Sequence, residues 1–249
     1  MKILVCIANV PDTTTKIKFD ADMKNLDAKD VQWVINPWDE LALTRALEIK
    51  EKSAGKIEKV AVVNVGKSNS EPTIRKALAI GADEAFRVDG DAVDACNIAA
   101  QIAEVVKNEK FDIIFCGKEA SDYNDAAVGA MLAEFLDIPS ISSVSSFDIN
   151  GDKITLKREI DGGKETLSIN PPFVAVVQKG IAINPRIAAM RGIMMAKTKP
   201  IKVYNPIEIG VLTESISFEV PPAKADCKMV DAEDTDKLIE LLHGEAKVL

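Results

Sequence analysis

Short β-branched, apolar runs alternate along the first 139 positions with stretches whose apolar residues recur every three or four places. The runs KILVCIANV (2–10), KVAVVNVG (59–66), EAFRVD (84–89) and FDIIFCG (111–117) predict buried strands. Between and after them the helical period predicts helices from Pro37 to about Lys52, about Glu71 to Ile80, Ala92 to Lys107 and about Asp125 to Leu136. Strand–helix alternation of this kind implies an α/β fold, doubly wound, with a mainly parallel sheet covered by helices on both faces. Ligands of such sheets bind beyond the carboxyl ends of the strands.

After Pro139 the pattern becomes polar alternation with turn signals at NGD (150–152) and DGG (161–163), which predicts hairpins at or beside the sheet edge. PPFVAVVQK (171–179) predicts one more buried strand. Beyond Asn205 periodicity fades: VPPAKADCK reads as an extended linker, and DTDKLIELLHG (234–244) as a short helix capped by Asp234 or Thr235 and stopped by Gly244. The chain therefore divides into a body, 1–204, and a C-terminal arm, 205–249, with ten carboxylates and four lysines. Such an arm is loose unless it docks on something.

Charge narrows the partners. With 39 Asp plus Glu against 31 Lys plus Arg, the formal charge of −8 argues against nucleic acid or an anionic membrane as a general partner. No apolar run reaches the ~18 residues of a spanning helix, and Met1-Lys2 leads straight into a strand, so a cytoplasmic protein without membrane insertion is expected. The cysteines at 6, 96, 116 and 227 form no CxxC pair and read as reduced core residues. His243 is the only histidine, which removes His-based metal clusters and Ser-His-Asp or Cys-His chemistry; no metal ligand and no catalytic residue is expected.

Three segments carry candidate chemistry. In NPWDELALTRALEIKEK (36–52), Asn36 reads as an N-cap, Pro37 as the first helical residue, and Asp39 with Glu40 as complements to the helix dipole. Asn36 at a strand-to-helix junction can alternatively point its amide at a ligand. In GKEASDYNDAAVGAMLAEFLDIP (117–139), the small residues Ala126, Ala127 and Gly129 at a helix start leave backbone N–H groups open to a phosphate; the bland reading is a simple capped helix, and there is no Walker loop or GxGxxG. The third is NPRIAAMRGIMMAKTKPIKV (184–203). It holds three of the seven methionines and lies within Thr166–Ile207, which has no Asp or Glu although carboxylates make up 39 of 249 residues. As a helix over 186–196 it would place Ile187, Met190 and Met194 on one face, either as a buried stripe or as an adaptable docking surface for acidic partners.

INPWDELAL (35–43), RKALAIGADEAFRV (75–88), GKEASD (117–122), KREIDGGKETL (157–167) and PRIAAMRGIMMAKTKPI (185–201) together resemble the beta subunit of electron-transfer flavoproteins over nearly the entire chain. The resemblance implies an adenine-nucleotide-binding α/β fold, 1–204, whose arm docks on a larger alpha subunit bearing the redox-active FAD. It implies an electron-carrier subunit, not an enzyme, with one structural AMP. By position, the nucleotide contacts fall on Cys6, Asn36, Val65 and the turn Asp122, Tyr123, Asn124, Asp125, Ala126, Ala127, Val128 and Gly129. The basic segment becomes the loop that docks acyl-CoA dehydrogenase-type flavoproteins of fatty acid oxidation, with Met190 as anchor where leucine is common, Ile193 and Met194 beside it, and Arg186, Arg191, Lys197 and Lys199 steering. Glu159 would touch the alpha subunit's flavin domain, and a quinone-reducing oxidoreductase is an acceptor of the same kind.

This chain departs from that family at 126–128, where AMP-binding members place amide and hydroxyl side chains and Ala126, Ala127 and Val128 offer backbone only. Bifurcating relatives hold a second FAD in this site on a Gly-Asp-Thr-Ala-Gln-Val-Gly run; Tyr123–Gly129 matches it only partly, so AMP is the expectation and a second FAD the alternative. Another class of reading, a stand-alone nucleotide-binding stress-type protein, explains the first 139 residues but neither the basic segment nor the acidic arm. An ATP-using ligase or hydrolase would need an SGGxDS-type loop, which the sequence lacks.

Overall fold

The apolar runs form the centre of a nine-stranded sheet. The computed structural model describes residues 1–151, 153–224 and 226–249. In chain order the elements are β1 (Lys2–Cys6), β2 (Asn9–Pro11), β3 (Trp33–Ile35), α1 (Pro37–Lys52), β4 (Lys59–Val65), α2 (Glu71–Ile80), β5 (Glu84–Val88), α3 (Ala95–Glu109), β6 (Ile113–Gly117) and α4 (Val128–Leu136). There follow β7 (Ser140–Asn150), β8 (Lys153–Ile160), β9 (Gly163–Ile169), β10 (Phe173–Val177), α5 (Met190–Ala196), β11 (Ile201–Tyr204) and α6 (Thr235–Glu240).

The strand order is β11-β5-β4-β1-β6-β10-β7-β8-β9. Pairings from β11 to β7 are parallel, and β8 and β9 add antiparallel at one edge. The doubly wound fold expected from the alternation is the one observed. Because helices cover both faces, the central strands are apolar on both sides and show no alternation. On one face α1 and α2 pack Leu43, Leu47, Ile74 and Leu78 against Ile3, Val5, Val60 and Val62. On the other, α3 and α4 pack Ile102, Val105 and Leu132 against Leu4, Val63 and Ile114.

Several boundaries differ from the sequence reading, each for a local reason. The run 2–10 is two strands: Ile7 still donates to the Val63 carbonyl, and then the chain leaves the sheet so that Asn9–Pro11 can pair antiparallel with Trp33–Ile35. α3 begins at Ala95 rather than Ala92 because Asp94 caps it, its Oδ1 accepting from the Asn97 N–H at 2.7 Å. α4 begins at Val128 rather than Asp125 because Asn124 and Ala126 have φ of 56° and 53°, which no right-handed helix accepts. The DGG turn is as expected, with Ile160 opposite Gly163 and Gly162 at φ 84°. Gly151 turns the other hairpin, but Asp152 of NGD and Ala225 of VPPAKADCK lie outside the described residues. β11, which no apolar run announces, closes the far edge.

Among the described residues the arm is attached only at its start. Ile207 exchanges two 2.8 Å hydrogen bonds with the Gln101 amide, the N–H groups of Leu212 and Thr213 donate to Asp94 Oδ2, and Phe218 stacks on Phe19 at 4.8 Å. Past Phe218, no hydrogen bond or ion pair to 1–204 occurs among the described residues. Asp234 caps α6, and the helix continues as a wider turn through Ala246, passing Gly244. Among the described residues no helix is long and apolar enough to cross a membrane.

Candidate functional site

From β1 the chain winds outward through β4 and β5, then returns to β6 on the opposite side of β1. The connections leaving β1 and β6 therefore run to opposite faces of the sheet, toward α1 and α4, the place where open parallel sheets bind ligands. A cleft of about 300 Å³ opens there, over the ends of β1, β4 and β6.

Asp39, in the first turn of α1, holds the cleft floor together. It is buried, and its carboxylate accepts the Ala8 N–H and the Gly117 N–H, each at 2.9 Å. A Cβ on Gly117 would lie 2.2 Å from Asp39 Oδ1 and 2.7 Å from Trp38 Cβ, so only glycine lets the end of β6 reach this carboxylate. Burial pushes the Asp39 carboxyl up to about 7, against the downward pull of its hydrogen bonds. The sequence reading took Asp39 only as a dipole complement; the signal was a glycine ending an apolar strand.

Asn36 is not a side-chain cap, contrary to expectation. Its Nδ2 donates to the Glu119 carbonyl at 2.9 Å and its Oδ1 accepts from the Ser121 N–H at 3.2 Å, so the amide holds the 119–121 loop as part of the cleft wall. Cys6, Val65, Asp122, Tyr123, Asp125, Ala126, Ala127 and Val128 also line the cleft. Asn124 and Gly129 are not among its lining residues. A Cβ on Gly129 would lie 2.5 Å from Val176 Cγ2, so this glycine seats α4 on β10. Asn64 and Ser70, which the sequence did not single out, do line the cleft, beyond the end of β4.

At the α4 end, the N–H groups of Ala126, Ala127 and Val128 have no acceptor among the described residues, the arrangement that receives an anionic oxygen at a helix start. Next to them stand the carboxyl groups of Asp122 and Asp125. Partial desolvation, and then the Asp125 charge, hold the Asp122 carboxyl above its usual range. Size, apolar floor and free N–H groups fit a nucleoside with one phosphate; the two carboxylates oppose additional phosphate charge. Among the described residues no three His, Cys, Asp or Glu side chains are placed to hold a metal ion.

The basic segment is docked on the body but faces outward. α5 covers only 190–196, and Ile187, Met190 and Met194 are 90%, 73% and 66% exposed, which overturns the buried-stripe alternative. Arg75 donates to the carbonyls of Ala196 and Lys199, and Gly192 sits so close to α2 that a Cβ would lie 2.3 Å from the Ala79 carbonyl oxygen. Arg186 forms a two-point pair with Glu51 at 2.7 and 2.8 Å, and Lys199 donates to the Ala82 carbonyl. Those two cations fasten the segment, leaving Arg191 and Lys197 without an acidic partner among the described residues. Glu159 on β8 lies between Gln178 and Lys164 at the opposite sheet edge. The cysteines are all free; Cys6 and Cys116 are buried as expected, while Cys96 is half-buried and Cys227 is exposed on the arm.

A family model described as Electron transfer flavoprotein domain matches residues 25–209. Proteins called Electron transfer flavoprotein subunit beta are similar along their whole lengths: 35% identical in Dictyostelium discoideum, covering 100% of this chain and 99% of that one. The human counterpart is 36% identical over 100% and 99%, and that of Bacillus subtilis 32% over 100% of each. With the cleft at the sheet's switch point and similarity of this extent from end to end, the chain belongs to the electron-transfer flavoprotein beta-subunit family.

Proposed function

We propose that this chain is the non-catalytic beta subunit of a heterodimeric electron carrier. It pairs with an alpha subunit that holds the FAD, encloses one AMP in the cleft as a structural ligand, and docks acyl-CoA dehydrogenase-type flavoproteins through α5. The observation that carries this reading is the outward-facing apolar surface of Ile187, Met190 and Met194, held on α2 in a segment whose own sequence has no carboxylate. A surface of that kind suits capture of an apolar pocket ringed by acidic residues, with Met190 as the anchor. Arg191 and Lys197 steer the approach, because Arg186 and Lys199 are engaged with the body.

The arm, unattached beyond Phe218 among the described residues, supplies the contact with the alpha subunit, and Glu159 meets its swinging flavin domain. An exposed carboxylate of that kind is worth ~1 kcal/mol or less, enough to bias a moving domain without fixing it.

Met190→Ala tests the docking surface. Flavin reduction by the cognate dehydrogenase is expected to fall about tenfold or more, the range of a lost interface anchor, with heterodimer and FAD content unchanged. Unaltered reduction kinetics would remove Met190 as the anchor. Asp125→Asn tests the nucleotide end: with one opposing charge gone, AMP is expected to bind about fivefold more tightly at low salt, less so at high salt. Titration calorimetry on nucleotide-depleted heterodimer measures it, and weaker binding would contradict the placement of the phosphate.

A further inference from the structure

We infer that Cys6 and Cys116 form a dithiol site on the cleft floor that takes a trivalent arsenical across both sulfurs. β1 and β6 are paired in register, Leu4 opposite Ile114 and Val5 opposite Phe115, so the next step brings position 6 beside position 116. Both side chains belong to the apolar cluster on the α3–α4 face, both line the cleft, and both are free thiols. The chain's other cysteines, Cys96 and Cys227, do not line the cleft.

The chemistry favours this ligand class over simple oxidation or alkylation. Cys6 is held well above the ordinary thiol range, first by the neighbouring Cys116 thiol and then by burial, so both routes that need a thiolate are slow. A disulfide also requires the sulfurs to close to ~2.0 Å and an oxidant to accept two electrons. An arsenic bridge needs neither. Phenylarsine oxide exchanges its arsenic–oxygen bonding for two arsenic–sulfur bonds, both thiol protons leave with the oxygen as one water, and arsenic stays trivalent. The flat phenyl group then occupies the apolar floor beside Val65 and Ile102. The thiols do not depend on a nucleotide, but the phenyl group and the proposed AMP share this floor, so the arsenical enters the nucleotide-free cleft.

The test uses the full-length assembled protein, depleted of nucleotide and reduced, exposed to phenylarsine oxide and washed with excess mercaptoethanol, which strips arsenic from single thiols. The chain is then denatured in alkylating agent and mapped by mass. One phenylarsenic should remain per chain, with Cys96 and Cys227 alkylated and Cys6 and Cys116 protected. Cys6→Ala and Cys116→Ala should each lose it, and Cys96→Ala with Cys227→Ala should keep it. Wild-type protein that retains no arsenic, or whose Cys6 and Cys116 are alkylated despite the arsenical, overturns the assignment even if the Cys6 and Cys116 variants fail to assemble.

Discussion

Replacing Asp39 by alanine is expected to destabilise the protein at pH 5 by about 3 kcal/mol and to empty the cleft. The Ala8 and Gly117 N–H groups lose their shared acceptor, and each buried donor left unpaired costs ~1–3 kcal/mol. For a chain of this size the melting temperature should fall by roughly 6–12 °C. The deficit should depend on pH. The folded-state carboxyl titrates at about 7 against an ordinary 3.8, so the folded protein keeps a proton through this window that the unfolded chain releases. Stability contributed by Asp39 is therefore greatest on the acid side and is lost as pH rises toward 7. The gap between wild type and Asp39→Ala should narrow by roughly 2 kcal/mol from pH 5 to pH 7. Melting curves of both proteins at pH 5, 6 and 7 measure this, and a gap that is flat or widens contradicts the assigned environment.

Gly192→Ala should separate docking from assembly. The added Cβ meets the Ala79 carbonyl at 2.3 Å, and a backbone oxygen inside α2 cannot turn aside as a side chain can. Overpacking of this kind costs ~1–3 kcal/mol, and the seven-residue α5 is the part able to move. α5 should lift from α2, carrying Met190 and Met194 out of position. Partner-driven flavin reduction should drop about tenfold or more while subunit assembly and bound nucleotide stay unchanged. Gly210→Ala, which meets nothing within 4 Å, is the matched control and should be silent. If the two variants transfer electrons equally well, the placement of α5 does not govern docking.

The sequence made the parallel sheet legible because strands buried on both faces must be continuous Val, Ile and Ala runs, as in KVAVVNV, and no other element of this chain looks like that. It hid β11, whose IKVY is half-exposed at an edge and follows no burial pattern, and it hid the entry of β10 between β6 and β7, since nothing local encodes a neighbour chosen across the sheet. The α4 start was misplaced because alanine is the best helix former, yet Ala126 is held at positive φ by the loop before it. The candidate site divides in the same way. Cys6, Val65 and the 125–128 turn follow from the ends of legible strands and helices. The double hydrogen bond of Asp39 depends on partners 31 and 78 residues away, and the attachment of Asn36 to the 119–121 loop on partners 83 and 85 residues away, beyond any local pattern. Met190 carried an ambiguous pattern, since an apolar stripe reads identically whether it faces a core or a partner; only exposure on α5 separates the two.

If the cleft at the switch of the sheet holds a structural adenine nucleotide, as proposed, the redox flavin resides in the partner subunit alone. Denaturing the co-purified alpha–beta complex and quantifying FAD and AMP per heterodimer by chromatography distinguishes this from a second flavin site. The expectation is one FAD and one AMP per heterodimer. Two FAD and no AMP would contradict it, and would make this chain the holder of a working redox centre.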